Sequence, residues 1–342
     1  MMIRKIVVSV LALSMVMSVA GSSFAQKPST HTWRLQSTYP VTSPFYKDVT
    51  TRLVKCIDES TGGRVKITMF PAGQLVPPGD VLDALGRGVF EMTAATGFYW
   101  GGILPEANIE FGLPMMWRDR YEMETAFWEK GLLELLREAY AERRVHYLNV
   151  VPYGPLTINS RVPIKDLAQL RKMKVRVYGS YAKHMEKLGV KTVAIPYGEV
   201  YSALASGVID AAITGKAEYE DMRFNEVAPY MHFPPVGGII ALHWLINKKT
   251  WDALPDDLKR PIDLCGYWGA SFAARFTKDL DDAIEMRLPK IGATAVHLPE
   301  KDIAEMQEAA NKIWDEVAAA NPRSAKMISI IREYLKTKGH LK

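Results

Sequence analysis

Two spacings of apolar residues alternate along the first hundred positions. Thr32–Ser37 reads as a strand. After it, Phe45, Val49, Leu53, Cys56 and Ile57 recur at three- and four-residue steps, the spacing of one buried helix face. Ser43 is placed to cap that helix with Pro44 at its first position, and Gly62-Gly63 ends it. Val65, Ile67 and Met69 then alternate with Arg64, Lys66 and Thr68, which predicts a strand with one wetter face. Asp80 opens a short helix through Leu82 and Leu85, and Phe90–Thr96 is apolar enough for a buried strand. The order is β-α-β-α-β, which predicts a parallel sheet covered by helices.

Further along, Tyr121, Phe127, Leu132, Leu133, Leu136 and Tyr140 predict one helix over 119–142, and Val145–Val151 a strand. Residues 152–163 hold three prolines and a glycine and read as a crossing. A second, smaller set follows over 174–213: strand Val175–Val177, a helix from Ser180, strand Thr192–Ala194, helix Tyr197–Ser206 and strand Val208–Ile213. Pro234–Gly238 breaks the chain again before a strand at Ile239–Asn247. Thr250 to about Glu285 is helical, interrupted near Pro255 and Pro261, and helices are expected over 300–318 and 323–337. This predicts two hinged α/β lobes with mostly parallel sheets and long C-terminal helices. Lobe I is expected over 26–152 plus about 239–250, and lobe II over 153–238. Residues 251–342 are then a helical segment packing across both. Ligands of such sheets sit at the carboxyl ends of the strands, here in the cleft between lobes.

The first 25 residues change the picture of where the chain works. Arg4 and Lys5 precede the apolar run Ile6–Ala20, and Ser23-Phe24-Ala25 offers small residues for cleavage, the form of a secretory signal peptide. The run is shorter than the ~20 residues of a bilayer span, so an exported, periplasmic protein of 317 residues is expected. Without Arg4 and Lys5 the net charge of +5 becomes +3. There is no like-charge run or basic stripe of the kind that marks a nucleic-acid partner. Cys56 and Cys265 stand 209 residues apart, and buried free thiols are the expectation.

Few residues offer chemistry. Arg176 stands between Val175 and Val177 on a strand, and its planar fork of donors suits a carboxylate; an internal ion pair with Glu199 or Asp210 is the other reading. Phe98-Tyr99-Trp100 follows a strand end, where adjacent residues alternate faces, which sends some of these rings to the cleft. Tyr39 after the first strand, Tyr153 at the first crossing, Thr214 after Ile213 and His243 on the return strand are further candidates. Trp33 is a weaker one, and Glu218 reads rather as a first-turn charge. No zincin, nucleophile-elbow, dithiol, dinucleotide or P-loop motif occurs, and the seven histidines lack metal spacing.

Met173-Lys174-Val175-Arg176 after Asp166-Leu167, and Pro196-Tyr-Gly-Glu199-Val-Tyr201-Ser-Ala203-Leu204-Ala-Ser-Gly207-Val-Ile-Asp210-Ala211, carry a resemblance. So do Phe111-Gly-Leu-Pro114 and Asn247-Lys-Lys-Thr-Trp251-Asp-Ala-Leu254-Pro255. With these the chain resembles the solute receptors of tripartite ATP-independent periplasmic (TRAP) transporters, the dicarboxylate-receptor (DctP) family. The resemblance implies a non-enzymatic receptor without cofactor, a small organic acid gripped by Arg176, and partnership with membrane permease subunits. A monomer is expected. Presentation to a sensor kinase or chemoreceptor, or a secreted enzyme, are the alternatives. Where metal-using relatives carry an acidic and an aromatic residue, this chain has Ile213-Thr214, so no metal is expected. The stretch Tyr153-Gly154-Pro155 lacks the cation found in dicarboxylate and sugar-acid receptors, which points to a monocarboxylate; Lys216 and His243 are the groups that could supply that charge.

Overall fold

The computed structural model describes residues 29–341; the expected signal segment lies outside them. Strand β1 (His31–Ser37) pairs in parallel with β2 (Val65–Phe70) on one side and β3 (Met92–Ala95) on the other. Between them run α1 (Thr51–Ser60), entered through a π-helical turn over Phe45–Thr50, and α2 (Val81–Arg87). Phe45, Val49, Leu53 and Ile57 are all fully buried, as their spacing predicts.

Three short helices follow: α3 (Glu106–Phe111), α4 (Arg120–Trp128) and α5 (Leu132–Ala141). The last two replace the single helix expected over 119–142. Gly131 between them has φ of +85°, a left-handed backbone that a continuing helix cannot include.

The two proline-rich crossings are not loops. Strand β4 (Val145–Ser160) runs through Pro152, Gly154 and Pro155, and β8 (Tyr230–Asn247) runs through Pro234, Pro235, Gly237 and Gly238. They pair antiparallel from Val145 opposite Asn247 to Ser160 opposite Tyr230. Register shifts fall between Pro152 and Pro155, Pro155 and Leu156, and Leu156 and Ile158. At such irregularities the ladder is already interrupted, so a residue lacking an N–H is tolerated. Gly238 is required for another reason: a Cβ there would collide with the carbonyl oxygen of Trp117.

Beyond β4 the sheet continues with β7 (Ala211–Gly215), antiparallel to it, then β5 (Lys174–Arg176) and β6 (Lys191–Val193), parallel to β7 in turn. Helices α6 (Leu167–Leu170), α7 (Gly179–Lys187), α8 (Val200–Ala205) and α9 (Phe224–Val227) accompany these strands. The strand order is β2-β1-β3-β8-β4-β7-β5-β6, and β9 (Thr294–His297), which the pattern did not announce, adds to β8. The result is a two-lobed α/β fold threaded by β4 and β8.

Helix α10 (Lys248–Asp252) leads to the 32-residue α11 (Asp256–Arg287), which keeps Pro261 inside it. Helices α12 (Glu300–Ala318) and α13 (Pro322–Thr337) complete the chain. Helix α11 packs along β4 and against α1. There Cys56 and Cys265 form a disulfide, with Cα atoms 5.8 Å apart. This corrects the expectation of free thiols: side-by-side packing of two helices far apart in sequence brings them together.

Two outcomes follow from this packing. The disulfide closes a loop of 209 residues, and a native disulfide typically contributes ~2–5 kcal/mol. Cys265→Ser should lower the urea unfolding free energy by that order, and a reductant should then have no further effect on the variant. His184 on α7 is fully buried, with Nε2 bonded to the carbonyl of Met306 on α12 at 2.8 Å. Burial lowers its pKa from 6.5 to about 4. Below 6.5 the unfolded chain therefore takes up a proton that the folded chain refuses, and stability falls as pH drops toward 4. Between pH 7 and 4.5 the native protein should lose ~2 kcal/mol more than His184→Gln in urea titrations.

Candidate functional site

The parallel strands β1, β3 and β5, together with β7, end around one cavity, with the bulged middle of β4 and Ile240 of β8 at its side. Tyr39 arrives after β1. Thr96, Phe98 and Tyr99 arrive after β3, where the Thr96 hydroxyl accepts the Phe98 N–H at 3.3 Å and fixes the turn. Tyr153 and Leu156 come from β4, Arg176 from the last position of β5, and Ile213, Thr214 and Gly215 from β7. The volume open to the centre of a water molecule is about 30 Å³. One water needs roughly 10–15 Å³ by that measure, so the cavity suits a ligand of a few heavy atoms.

Arg176 is the centre of its electrostatics. The side chain is 2% exposed. Its Nε donates to the carbonyl of Ile195 at 2.9 Å and its Nη1 to that of Ile213 at 3.3 Å. The guanidinium lies 5.0–5.6 Å from the ring centres of Phe98, Tyr178 and Tyr197, where each aromatic face attracts it. Neither Glu199 nor Asp210 reaches it; the Asp210 carboxylate instead accepts the Lys174 N–H at 2.9 Å. No ion pair holds Arg176 among the described residues. A buried cation fixed by neutral carbonyls is costly unless an anion completes it, and its remaining N–H groups suit a carboxylate.

A second buried charge faces the same cavity. Glu218, 2% exposed, follows β7 in a single turn of 3₁₀ helix over Lys216–Glu218. Its Oε1 accepts the Ser43 hydroxyl at 2.6 Å and the Tyr153 hydroxyl at 3.4 Å. Burial raises its pKa above the ordinary carboxylate value, while the Ser43 hydrogen bond opposes that rise. Glu218 is thus more than the first-turn charge expected of it: it stands in that turn but is buried against the cavity. Of this short turn, Glu218 lines the cavity, while Lys216 turns away to Glu285.

Of the eight residues expected to touch a ligand, Tyr39, Phe98, Tyr99, Tyr153, Arg176 and Thr214 line the cavity. Thr214 is not a helix cap: its Oγ1 accepts the Asn159 side-chain amide at 2.7 Å, leaving its own proton to donate. Burial holds the Tyr39 and Tyr153 hydroxyls well above their ordinary pKa, so they stay protonated. Trp100 and His243 lie elsewhere. His243 is fully buried and its Nδ1 pairs with Glu110, which also accepts from Tyr140 and Tyr147. The Trp100 indole donates to Tyr140 at 3.0 Å, so it belongs to that network and not to the cavity. Trp33, too, is buried in the core. Tyr197 and Phe111 line the cavity without having been singled out. Both stand beside motifs, at Pro196-Tyr197 and Phe111-Gly112, which was the available signal.

The halves of the molecule meet across the cavity. The Tyr99 hydroxyl accepts the Tyr197 N–H at 3.3 Å, and the Asn108 side chain accepts the Ser180 N–H at 3.2 Å. Ser43 reaches Glu218, and Lys47 pairs with Asp221 at 2.7 Å.

The sequence model of the bacterial extracellular solute-binding proteins, family 7 (DctP), matches residues 35–321. The chain belongs to this family. A monocarboxylate 2-oxoacid-binding periplasmic protein from Nostoc is 28% identical over 66% of this chain and 62% of its own length. A TRAP periplasmic solute-binding protein from Chromohalobacter salexigens, with bound (S)-2-amino-1-propanol, superimposes with a TM-score of 0.84 at 22% identity. That match covers 90% of this chain and 96% of the other. An apo, open TRAP solute-binding protein from Rhodobacter sphaeroides covers 91% and 99% of the two chains at 25% identity, but with a TM-score of 0.69. The family member described here is a periplasmic solute-binding receptor of the TRAP class, not an enzyme.

Removing Arg176 tests the centre of the cavity. Loss of one partner of a desolvated charge pair costs ~2–5 kcal/mol, or roughly 30- to 4000-fold at ~1.4 kcal/mol per decade. Arg176→Ala should lose affinity for bound organic acids by that factor in calorimetry while keeping the unfolding midpoint of a folded protein. Arg176→Lys should recover little, since a point charge cannot reproduce a fork held by two carbonyls.

Proposed function

We propose that this receptor captures one small organic monocarboxylate in the cleft between its lobes and delivers it to the membrane permease of a TRAP transporter. The observation that carries the reading is Arg176, a buried guanidinium turned to the cavity and paired with no carboxylate among the described residues. The ligand's carboxylate takes that place, and Tyr39, Phe98, Tyr99, Phe111, Tyr153 and Tyr197 surround its body. Area removed from water there contributes ~25 cal/mol per Å².

Closure is the second element. The lobes, taken as 26–152 with about 239–250 and as 153–238, hinge at the bulged stretch Pro152–Ile158 of β4. Helix α11 and its neighbours span both. The bonds Tyr99–Tyr197, Asn108–Ser180 and Ser43–Glu218 form across the cleft when it shuts. The closed form is what the permease receives. The Nostoc relative, which binds monocarboxylate 2-oxoacids, supports this ligand class.

A second carboxylate has no partner. The two cations considered for that role are engaged away from the cavity: Lys216 pairs with Glu285 on α11, and His243 pairs with Glu110. The cavity's other charge, Glu218, repels an anion. A second buried carboxylate would cost several kcal/mol of desolvation. In paired titrations, a short monocarboxylate should bind at least tenfold more tightly than the dicarboxylate of the same length; tighter binding of the dicarboxylate would reject the assignment.

A bound cation is not needed in this arrangement. Hard divalent cations gather six or more oxygens, and the cavity offers one carboxylate, already held by Ser43 and Tyr153. Affinity measured after exhaustive chelation should match that of the untreated protein. A tenfold loss restored by calcium or sodium would contradict this.

A further inference from the structure

The cavity carries two buried charges of opposite sign. Arg176 and Glu218 are each 2% exposed, and both border one tyrosine. The guanidinium lies over the ring of Tyr197. At the other end of that ring the hydroxyl is buried without a well-formed hydrogen bond, beside the Glu218 carboxylate. Both well-formed hydrogen bonds to Glu218 fall on Oε1, and the residue lines the cavity. When a carboxylate neutralises Arg176, an ionised Glu218 is left as an uncompensated negative charge in a buried site, and such a charge is costly.

We propose that Glu218 is a specificity residue that selects a monocarboxylate carrying a hydrogen-bond donor opposite its carboxylate, an ammonium before a hydroxyl. This rests on the receptor reading above and names its ligand class: small zwitterionic amino acids first, small hydroxy acids second, plain aliphatic acids last. An ammonium restores neutrality to the closed cavity and donates to the Glu218 carboxylate. A hydroxyl donates without supplying charge. An apolar group does neither and leaves the carboxylate unmatched. Burial holds the Glu218 pKa up in the empty cavity, and a bound ammonium would oppose that rise by stabilising the ionised form.

Glu218 also joins the halves of the molecule through Ser43, so the test must separate selection from closure. The panel consists of small acids in matched triples, each with hydrogen, hydroxyl or ammonium at the carbon farthest from the carboxylate: propionate, 3-hydroxypropionate and β-alanine, with four- and five-carbon counterparts. Thermal shift and calorimetry are run on the native protein, Glu218→Gln and Ser43→Ala. The native protein should bind the amino member of the best triple at least tenfold more tightly than its apolar member. Glu218→Gln should reduce that ratio below threefold. Ser43→Ala should weaken all members by a similar factor and keep their order, which also covers the case in which Glu218→Gln folds poorly.

Equal binding of the apolar and amino members by the native protein would overturn the proposal while leaving the receptor reading intact. An unchanged ratio in Glu218→Gln, or equal weakening of all three members, would show a closure role only and overturn it as well. Preference for a dicarboxylate with uptake of one proton per ligand would mean that Glu218 is protonated and donating, and would likewise refute it. If no acid of any kind stabilises the native protein, the receptor reading fails first and this inference fails with it.

Discussion

Strands β4 and β8 pair antiparallel across the whole molecule, and every other feature is placed by that pairing. Their outer ends carry β3 on one side and β7 on the other, so both halves of the sheet grow from one two-stranded spine. Most of its irregularity lies in the middle, where the register slips between Pro152 and Ile158; one further shift falls between Tyr147 and Asn149. A strand pair can bend at such slips with few ladder bonds lost. The cavity sits beside this bend, where the strand ends of both halves converge.

The chemistry of the cavity is set by what surrounds its charges. Arg176 is held by the carbonyls of Ile195 and Ile213 and by three aromatic faces. None of these groups is ionised, so the positive charge is oriented without being neutralised. Glu218 is held by hydroxyls, again without an opposite charge. Elsewhere in the core buried carboxylates are paired with a basic side chain: Glu110 with His243, beside Tyr140 and Tyr147, and Asp281 with Arg120. The contrast sets the two charges of the cavity apart from the charge networks of the core.

Helix α11 ties the outside together. It packs along β4, is joined to α1 by the disulfide, and meets the turn after β7 through Glu285 and Lys216. A single long element therefore touches both sides of the bend.

The sequence alone determined the elements whose signal is local. The buried face of α1, the strands β1, β2 and β3, the second β-α-β set and the long terminal helices follow from spacing, because burial of one face repeats at the period of the element. Arg176 was legible for a related reason, since a lone guanidinium between Val175 and Val177 must find a partner or a cleft. Tertiary structure decided what depends on distant neighbours. The stretches around Pro152 and Pro234 look like loops by composition, yet they are strands because each supplies the other's ladder across 80 residues of chain. Cys56 meets Cys265 only because α11 lies along α1. His243 and Trp100 turn to the core, not the cleft, because Glu110 and Tyr140 wait there. Glu218 reads as a surface charge until the turn after β7 is seen to face Ser43 from the other half of the molecule. In each case the deciding energy is a long-range contact, which no local period records.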